Sequence, residues 1–245
     1  MSQLQTFAQL RQLKLGAMAD ALQTQMEQPG TYEALSFLER LELLIEHEHL
    51  SREQRKQARL VRQAQFKLRA TVQDIDYQHK RNVSRSQIAQ LAQSEWIERG
   101  QNLLVTGPCG SGKTYLACAL GHQACLKGYS VRYFMLTQAK ADGSYHKELK
   151  ALARIRLLII DDWGLEALTQ PQRNDFMEIM DDRHGETATM ILSQLPTDQW
   201  YATIGDNTLA DAILDRLMHN AHRLNLKGES MRKRMADLTQ DEHIG

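Results

Sequence analysis

The chain has 245 residues, enough to bury a sizeable core, and its 30 Lys and Arg balance 30 Asp and Glu. The zero net charge gives no hint of a polyanionic partner, and the longest strongly apolar run is LLII at 157–160, far too short to cross a bilayer. MSQLQTF has neither a basic nor an apolar leader pattern, and Cys109, Cys118 and Cys125 lack metal or redox spacing. Together these point to a reducing, cytoplasmic setting and away from a membrane.

The balanced charge conceals blocks. Residues 27–49 hold six Glu against one Arg, and residues 52–69 hold seven Lys or Arg against one Glu. Residues 161–186 hold eight acids against two Arg, and residues 223–234 five bases against one Glu. A basic block is either a solvated helix face or a footprint for nucleic acid.

Residues 1–70 read as a small helical domain. Met18, Leu22 and Met26 repeat at helical spacing, with Gly16 as a break before them. Pro29-Gly30 predicts a turn, Thr31 a cap for a third helix, and Ser51 a cap for a fourth. Leu38, Leu41 and Ile45 are expected on the inner face of the third helix, with Glu39, Glu42 and Glu46 outside. In the fourth, Arg52, Arg55, Arg59 and Arg62 share a face. Residues 71–100 read as a linker, with Ser84 and Gln87 as a capping box.

From residue 101 the texture alternates. NLLVT, SVRYFM, RLLII, ATMILS and HRLNL read as five strands, with helices between them and a box at Thr169 and Gln172. This predicts an α/β fold with a mainly parallel five-stranded sheet and helices on both faces, over 101–245.

Between the first strand and the first helix of that region stands GPCGSGKT, residues 107–114, a full G-x-x-x-x-G-K-[ST] match. Gly107, Gly110 and Gly112 permit turns in which loop N–H groups face phosphate oxygens. Pro108, Cys109, Ser111 and Tyr115 complete the candidate nucleotide-binding stretch, Lys113 reaches the β- and γ-phosphates, and Thr114 ligates Mg²⁺. LLIIDD ends a buried strand in two acids at its carboxyl end. Asp161 is the candidate second Mg²⁺ partner, and Asp162 the group that orients or deprotonates water. Gln194, at the end of the fourth strand, is a further candidate for orienting water. Arg216 is a candidate for acting on a neighbour's nucleotide, and Arg232 for reaching the phosphates in cis.

Residues 102–134, LLIIDDWGLEAL, ADAILDRLMHNAHRLNLKGESMRK and LKLGAMADAL resemble the IstB family, transposition helper ATPases of bacterial insertion sequences. These are AAA+ proteins related to the DnaC helicase loaders. The resemblance covers nearly the whole chain. It implies a sheet with the fourth strand between the first and third, Gln194 as sensor 1, Arg216 as arginine finger and Arg232 as sensor 2. It further implies ATP and Mg²⁺ as ligands, nucleotide-dependent assembly into homo-oligomers, DNA binding and cooperation with a transposase. Duplex, sequence-independent contact is expected through Arg52, Arg55, Arg59, Arg62, Lys140, Lys147, Lys150, Arg154 and Arg156. Asp162 stands where many AAA+ ATPases carry Glu, which implies slow, switch-like hydrolysis. The stretch 134–158 is shorter than is usual in the family. A helicase loader is the alternative within this chemistry. A small-molecule P-loop kinase fits Asp161-Asp162 and LKGESMRK poorly.

Overall fold

A computed structural model describes residues 3–78, 81–135 and 152–228. The chain divides into two compact units, Met1–Arg59 and Leu60–Gly245.

In the first unit, α1 (Gln3–Gln12) and α2 (Gly16–Glu27) are separated by Lys14 at φ 60°, and Gly16 opens the second of them. Pro29-Gly30, expected as a turn, instead forms the short helix α3 (Pro29–Tyr32). The next helix, α4 (Phe37–Ala64), is capped by Ser36 and not by Thr31. The Ser36 N–H donates to Glu39 Oε2 at 2.7 Å, and the Glu39 N–H donates back to Ser36 Oγ at 3.3 Å. That reciprocal pairing satisfies N–H groups left open at a helix start.

Ser51 does not begin a new helix, because α4 runs through it without interruption. No Gly or Pro interrupts 37–64, and Arg52 spans the site with an i,i+4 bond to Glu48 at 2.7 Å. The expected inner face is corrected at Leu38 and Ile45, while Leu41 is half-buried and Glu39, Glu42 and Glu46 are exposed as expected. Leu38 is 62% and Ile45 54% exposed, whereas Leu44 and Glu48 are buried. Glu48 is buried because it is needed there: it accepts the Met18 N–H at 3.0 Å as well as Arg52.

In the second unit, five strands form one sheet in the order β2-β3-β4-β1-β5, with every pairing parallel. They are β1 (Asn102–Thr106), β2 (Val131–Met135), β3 (Leu157–Trp163), β4 (Ala188–Ser193) and β5 (Ala221–Asn225). The fourth strand thus lies between the first and third. Side chains alternate between two apolar layers, as a strand's period of two requires. Leu103, Val105, Leu157, Ile159, Met190 and Leu192 face α7 (Lys113–Leu126). Leu104, Leu158, Ile160 and Ile191 face α8 (Gln170–Arg183), α9 (Trp200–Ile204) and α10 (Asn207–Met218). The result is a three-layer α/β/α sandwich.

The layer beside α7 also takes in Leu60, Ala64, Ala70, Ile75 and residues of α5 (Arg85–Ala92) and α6 (Glu95–Glu98). Residues 71–100, read from sequence as a linker, are therefore built into this core through Ile75, Ile88, Leu91, Trp96 and Ile97. Ser84 and Gln87 form their reciprocal box, the Gln87 N–H donating to Ser84 Oγ at 3.1 Å and the Ser84 N–H to Gln87 Oε1 at 3.1 Å. Thr169 opens α8 similarly, its N–H donating to Gln172 Oε1 at 3.0 Å. Cys118 and Cys125 are buried in the apolar layer, and burial raises both thiols above their ordinary value, Cys125 to about 12.

Candidate active site

All five strands run parallel, so their carboxyl ends share one edge of the sheet, where open α/β sheets bind ligands. The glycine loop leaves β1 at that edge and enters α7. Gly107 stands at φ 149°, and a β-carbon there would lie 2.5 Å from the Leu226 carbonyl oxygen. Gly112 stands at φ 92°, immediately before the first turn of α7. Both positions require glycine, and the loop they allow gathers N–H groups at a helix start.

Lys113 is buried in this loop. Its Nζ donates to the carbonyls of Gly107 at 2.7 Å and Pro108 at 2.9 Å. Burial lowers its pKa below 10.5, and the charge of Asp161 opposes that shift. A buried ammonium held by two neutral carbonyls is electrostatically incomplete, and an anion would complete it. Ser111 Oγ is also buried there without a hydrogen-bond partner. The cradle, its buried ammonium and the unpaired Ser111 hydroxyl therefore fit a phosphate chain.

Asp161 is 2% exposed. Its Oδ2 accepts Thr114 Oγ1 at 3.0 Å and the Tyr133 hydroxyl, and its Oδ1 accepts the Asp162 N–H at 2.8 Å. Thr114 and Asp161, the sequence candidates for Mg²⁺, are thus brought together, and two hard oxygens at hydrogen-bond distance suit that ion. Asp162 takes φ 61° where the pairing of β3 with β4 slips by one residue, between Ile160 opposite Ile191 and Trp163 opposite Ser193. A bulge of this kind bends a strand locally and breaks its regular pairing. Gln194 follows β4 directly, between the strand carrying Asp161 and the strand carrying the loop, and the Gly107 N–H donates to the Ser193 carbonyl at 3.2 Å.

Arg216 lies at the opposite edge. Asn102, the first residue of β1, donates to the Arg216 and Leu217 carbonyls at 3.0 and 3.1 Å. A five-residue strand separates that point from the loop, roughly 15 Å at the usual rise. The Arg216 guanidinium pairs with Asp181 at 2.7 Å. It is therefore not part of its own chain's loop site.

Of the basic residues proposed for DNA, Arg52 donates to Glu48 and to the Lys14 carbonyl, while Arg55 donates to the Ser51 carbonyl. Arg59, Arg62 and Arg154 are exposed. Arg156 donates to the carbonyls of Glu186, Ile97 and Glu98. Lys140, Lys147, Lys150 and Arg232 lie outside the described residues.

Sequence reasoning missed Tyr133 and Arg81. Tyr133 lies opposite Ile159 in the β2–β3 register, two residues before Asp161 on the same face. Burial and its bond to Asp161 push its hydroxyl far above the ordinary value of 10.0. Its one signal was a tyrosine inside a buried strand, whose hydroxyl must find a partner.

The sheet order and the loop define a P-loop fold of the AAA+ type. The crystal structure of DnaI resembles it with a TM-score of 0.55 at 20% identity, covering 64% of this chain and 91% of that one. The crystal structure of the DnaC helicase loader does so with a TM-score of 0.50 at 23% identity, covering 64% and 97%. The family described as IstB-like ATP binding protein matches residues 8–239. The protein y4pL of Sinorhizobium fredii, named for an insertion sequence and for ATP binding, is 43% identical over 93% of this chain and 96% of its own. An insertion sequence IS1162 protein of Pseudomonas fluorescens, also named for ATP binding, is 44% identical over 83% and 90%. The chain belongs to the IstB-like family.

Proposed function

We propose that the protein is an ATP-dependent, DNA-binding ATPase that assists the transposase of an insertion sequence. The observation that carries this reading is the meeting of Lys113, Thr114 and Asp161 at the carboxyl edge of the sheet, in a chain of this family. Residues Gly107 to Tyr115 would wrap the phosphates, with Lys113 leaving its two carbonyls for phosphate oxygens. Thr114 and Asp161 would hold Mg²⁺, which when bound neutralises charge on the phosphate chain. Asp162 and Gln194 would orient water for attack on the γ-phosphorus, giving ADP and phosphate. The short Asp162 side chain favours slow turnover, which suits a switch.

Arg216 belongs to a different site in this reading. Its remoteness from its own loop supports a role on a neighbouring copy's nucleotide, so ATP would sit at a subunit interface and favour assembly. Arg232 is proposed as a second cation on the phosphates. DNA contacts would run through phosphates, from Arg59, Arg62 and Arg154 and from Lys140, Lys147 and Lys150, with Arg52 and Arg55 contributing once released from their present partners. The helical first unit would contact the transposase.

The test is retention of the purified protein on linear duplex DNA with ATP, with ADP and without nucleotide, across salt, beside single-stranded DNA. ATP-dependent, salt-sensitive retention that favours duplex is expected, and Lys113→Ala should abolish it. Undiminished retention by Lys113→Ala in ATP would sink the switch. A preference for single strands would replace the transposition helper with a helicase loader.

A further inference from the structure

We propose that Arg81 is a phosphate-binding residue of the same nucleotide site, acting within its own chain; this rests on the nucleotide reading above. The residue comes from the segment before α5, outside every motif that identifies the site. Its guanidinium nevertheless lies on the glycine loop. A β-carbon built on Gly112 would stand 2.8 Å from Arg81 Nη1. Gly112 immediately precedes Lys113 and the first turn of α7, so the guanidinium sits beside the start of that helix.

The backbone at this point is pinned from the far side of the loop. The Lys227 N–H donates to the Arg81 carbonyl at 3.0 Å, and Asn82 Nδ2 donates to the Asn225 carbonyl at 3.1 Å. The Leu226 N–H in turn donates to the Thr106 carbonyl at 2.8 Å, and Leu226 is the residue that closes over Gly107. Three stretches of chain therefore meet at the loop: 81–82, 106–113 and 225–227. An arginine placed by that junction has little freedom to leave.

Its hydrogen bonding is unfinished. Nη2 donates to the Asp76 carbonyl, Nε is buried without a partner, and among the described residues no carboxylate pairs with the group. A buried N–H left unpaired is costly, and the cost grows when the group is charged. The same few ångströms also hold Lys113 on neutral carbonyls and the positive end of a helix. Asp161 and Asp162 offset part of the Lys113 charge, but Asp161 already accepts Thr114, Tyr133 and the Asp162 N–H, and the direct partners of the Lys113 ammonium remain neutral carbonyls. A phosphate chain on the loop meets all three positive features, and the planar fork of arginine suits phosphate oxygens.

The experiment is calorimetric titration of ATP and ADP into the full-length wild type, Arg81→Ala, Arg81→Gln and Lys113→Ala, at several salt concentrations. Loss of a charged hydrogen bond to phosphate should weaken both nucleotides about 10- to 100-fold in Arg81→Ala at low salt. The deficit should shrink as salt rises, because the missing contact is between charges. Arg81→Gln retains a donor for the Asp76 carbonyl and decides the matter if Arg81→Ala does not fold. It should show the same deficit, with the nucleotide-free melting temperature of the wild type. Wild-type affinity in Arg81→Gln, alongside lost affinity in Lys113→Ala, would overturn the role of Arg81 and leave the nucleotide site standing. A deficit independent of salt would move the contact to base or sugar and overturn the phosphate assignment. Undiminished affinity in Lys113→Ala, or no binding by the wild type, would overturn the nucleotide reading itself.

Discussion

The two edges of the sheet treat their cations in opposite ways. At the amino edge, Arg183 is almost fully buried yet well supplied: Nε donates to Thr189 Oγ1 at 3.0 Å, Nη1 to the carbonyls of Leu152 and Ile155 at 2.6 and 2.8 Å, and Nη2 to the Ala188 carbonyl. Arg156 has three carbonyls there, and Arg216 has Asp181 and the Ala212 carbonyl. At the carboxyl edge, Lys113 rests on carbonyls of its own loop, and Arg81 has one acceptor and an idle Nε. The strained residue Asp162 lies at this edge too. A deeply buried group such as Arg183, whose every guanidinium nitrogen finds its acceptor away from the loop, is there for stability, whereas the partly exposed Arg216 pair can open. Groups left short of partners mark where a ligand enters the balance.

Arg183 should give the largest effect. Burial and the nearby Arg156 both disfavour its charge and pull its pKa down to about 9, so the folded state depends on its acceptor contacts to hold the cation. Arg183→Leu removes the cation and strands four acceptors, so it should cost about 3 kcal/mol of unfolding free energy. Denaturant melts of the full chain measure this. A cost below about 1 kcal/mol would mean that the amino edge does not depend on its satisfied cation, and the contrast between edges would fail.

Tyr133 tests the other edge. Its hydroxyl holds one oxygen of Asp161, which also accepts Thr114. Tyr133→Phe should leave nucleotide affinity without metal close to wild type but raise the Mg²⁺ concentration needed for half-maximal effect about 10-fold, the low end for loss of a group orienting a metal ligand. The readout is Mg²⁺-dependent nucleotide affinity, with Mn²⁺ alongside. An unchanged Mg²⁺ requirement would make Tyr133 a core residue whose hydroxyl merely found a partner.

Asp181 should matter less. It is exposed and holds Arg216 from outside, so Asp181→Asn should change stability by no more than about 0.5 kcal/mol. A surface pair this weak leaves Arg216 free to exchange its partner for one on another subunit. A cost above about 2 kcal/mol would make the pair a structural tie and count against Arg216 acting in trans.

How much of this was legible in sequence follows from how local each feature is. Binding phosphate on a loop takes contiguous residues, so GPCGSGKT and LLIIDD were readable, as were the boxes at Ser84 and Thr169 and all five strands. The order of the sheet came only through the family resemblance, because strand order depends on crossovers that no local pattern encodes. Tyr133 and Arg81 stayed hidden for the same reason. One depends on the register of β2 against β3, the other on a junction joining residues 82 and 225. Helix α4 misled in a different way. Ser51 has cap chemistry, but a cap acts only where the helix has another reason to stop, and the Glu48–Arg52 bond bridges that point. The choice of its buried face turned on Glu48, a charged residue that burial rules place outside unless a partner is known.

Glu48 carries the last effect, felt mainly in acid, and it extends the rule drawn from the edges to the first unit. Its carboxylate is supplied by the fold alone, through the Met18 N–H and Arg52, with Arg55 3.6 Å away. The hydrogen bond from Arg52 is the main reason its pKa lies below 4.5; burial opposes the shift, and Met18 adds to it. A carboxylate with a depressed folded pKa contributes stability that is complete above its unfolded pKa and is lost as pH falls through the folded one. The first unit should therefore weaken below about pH 4.5, and Glu48→Gln should flatten that decline while costing less than about 1 kcal/mol at neutral pH, since Arg52 is half exposed. Hydrogen exchange over residues 16–27 in the full chain, corrected for intrinsic rates, reads this directly. If the acid-side slope in Glu48→Gln matched the wild type, the carboxylate would not be what joins α2 to α4. A group with every partner in place would then have proved idle, against the rule that its satisfied bonds imply stability.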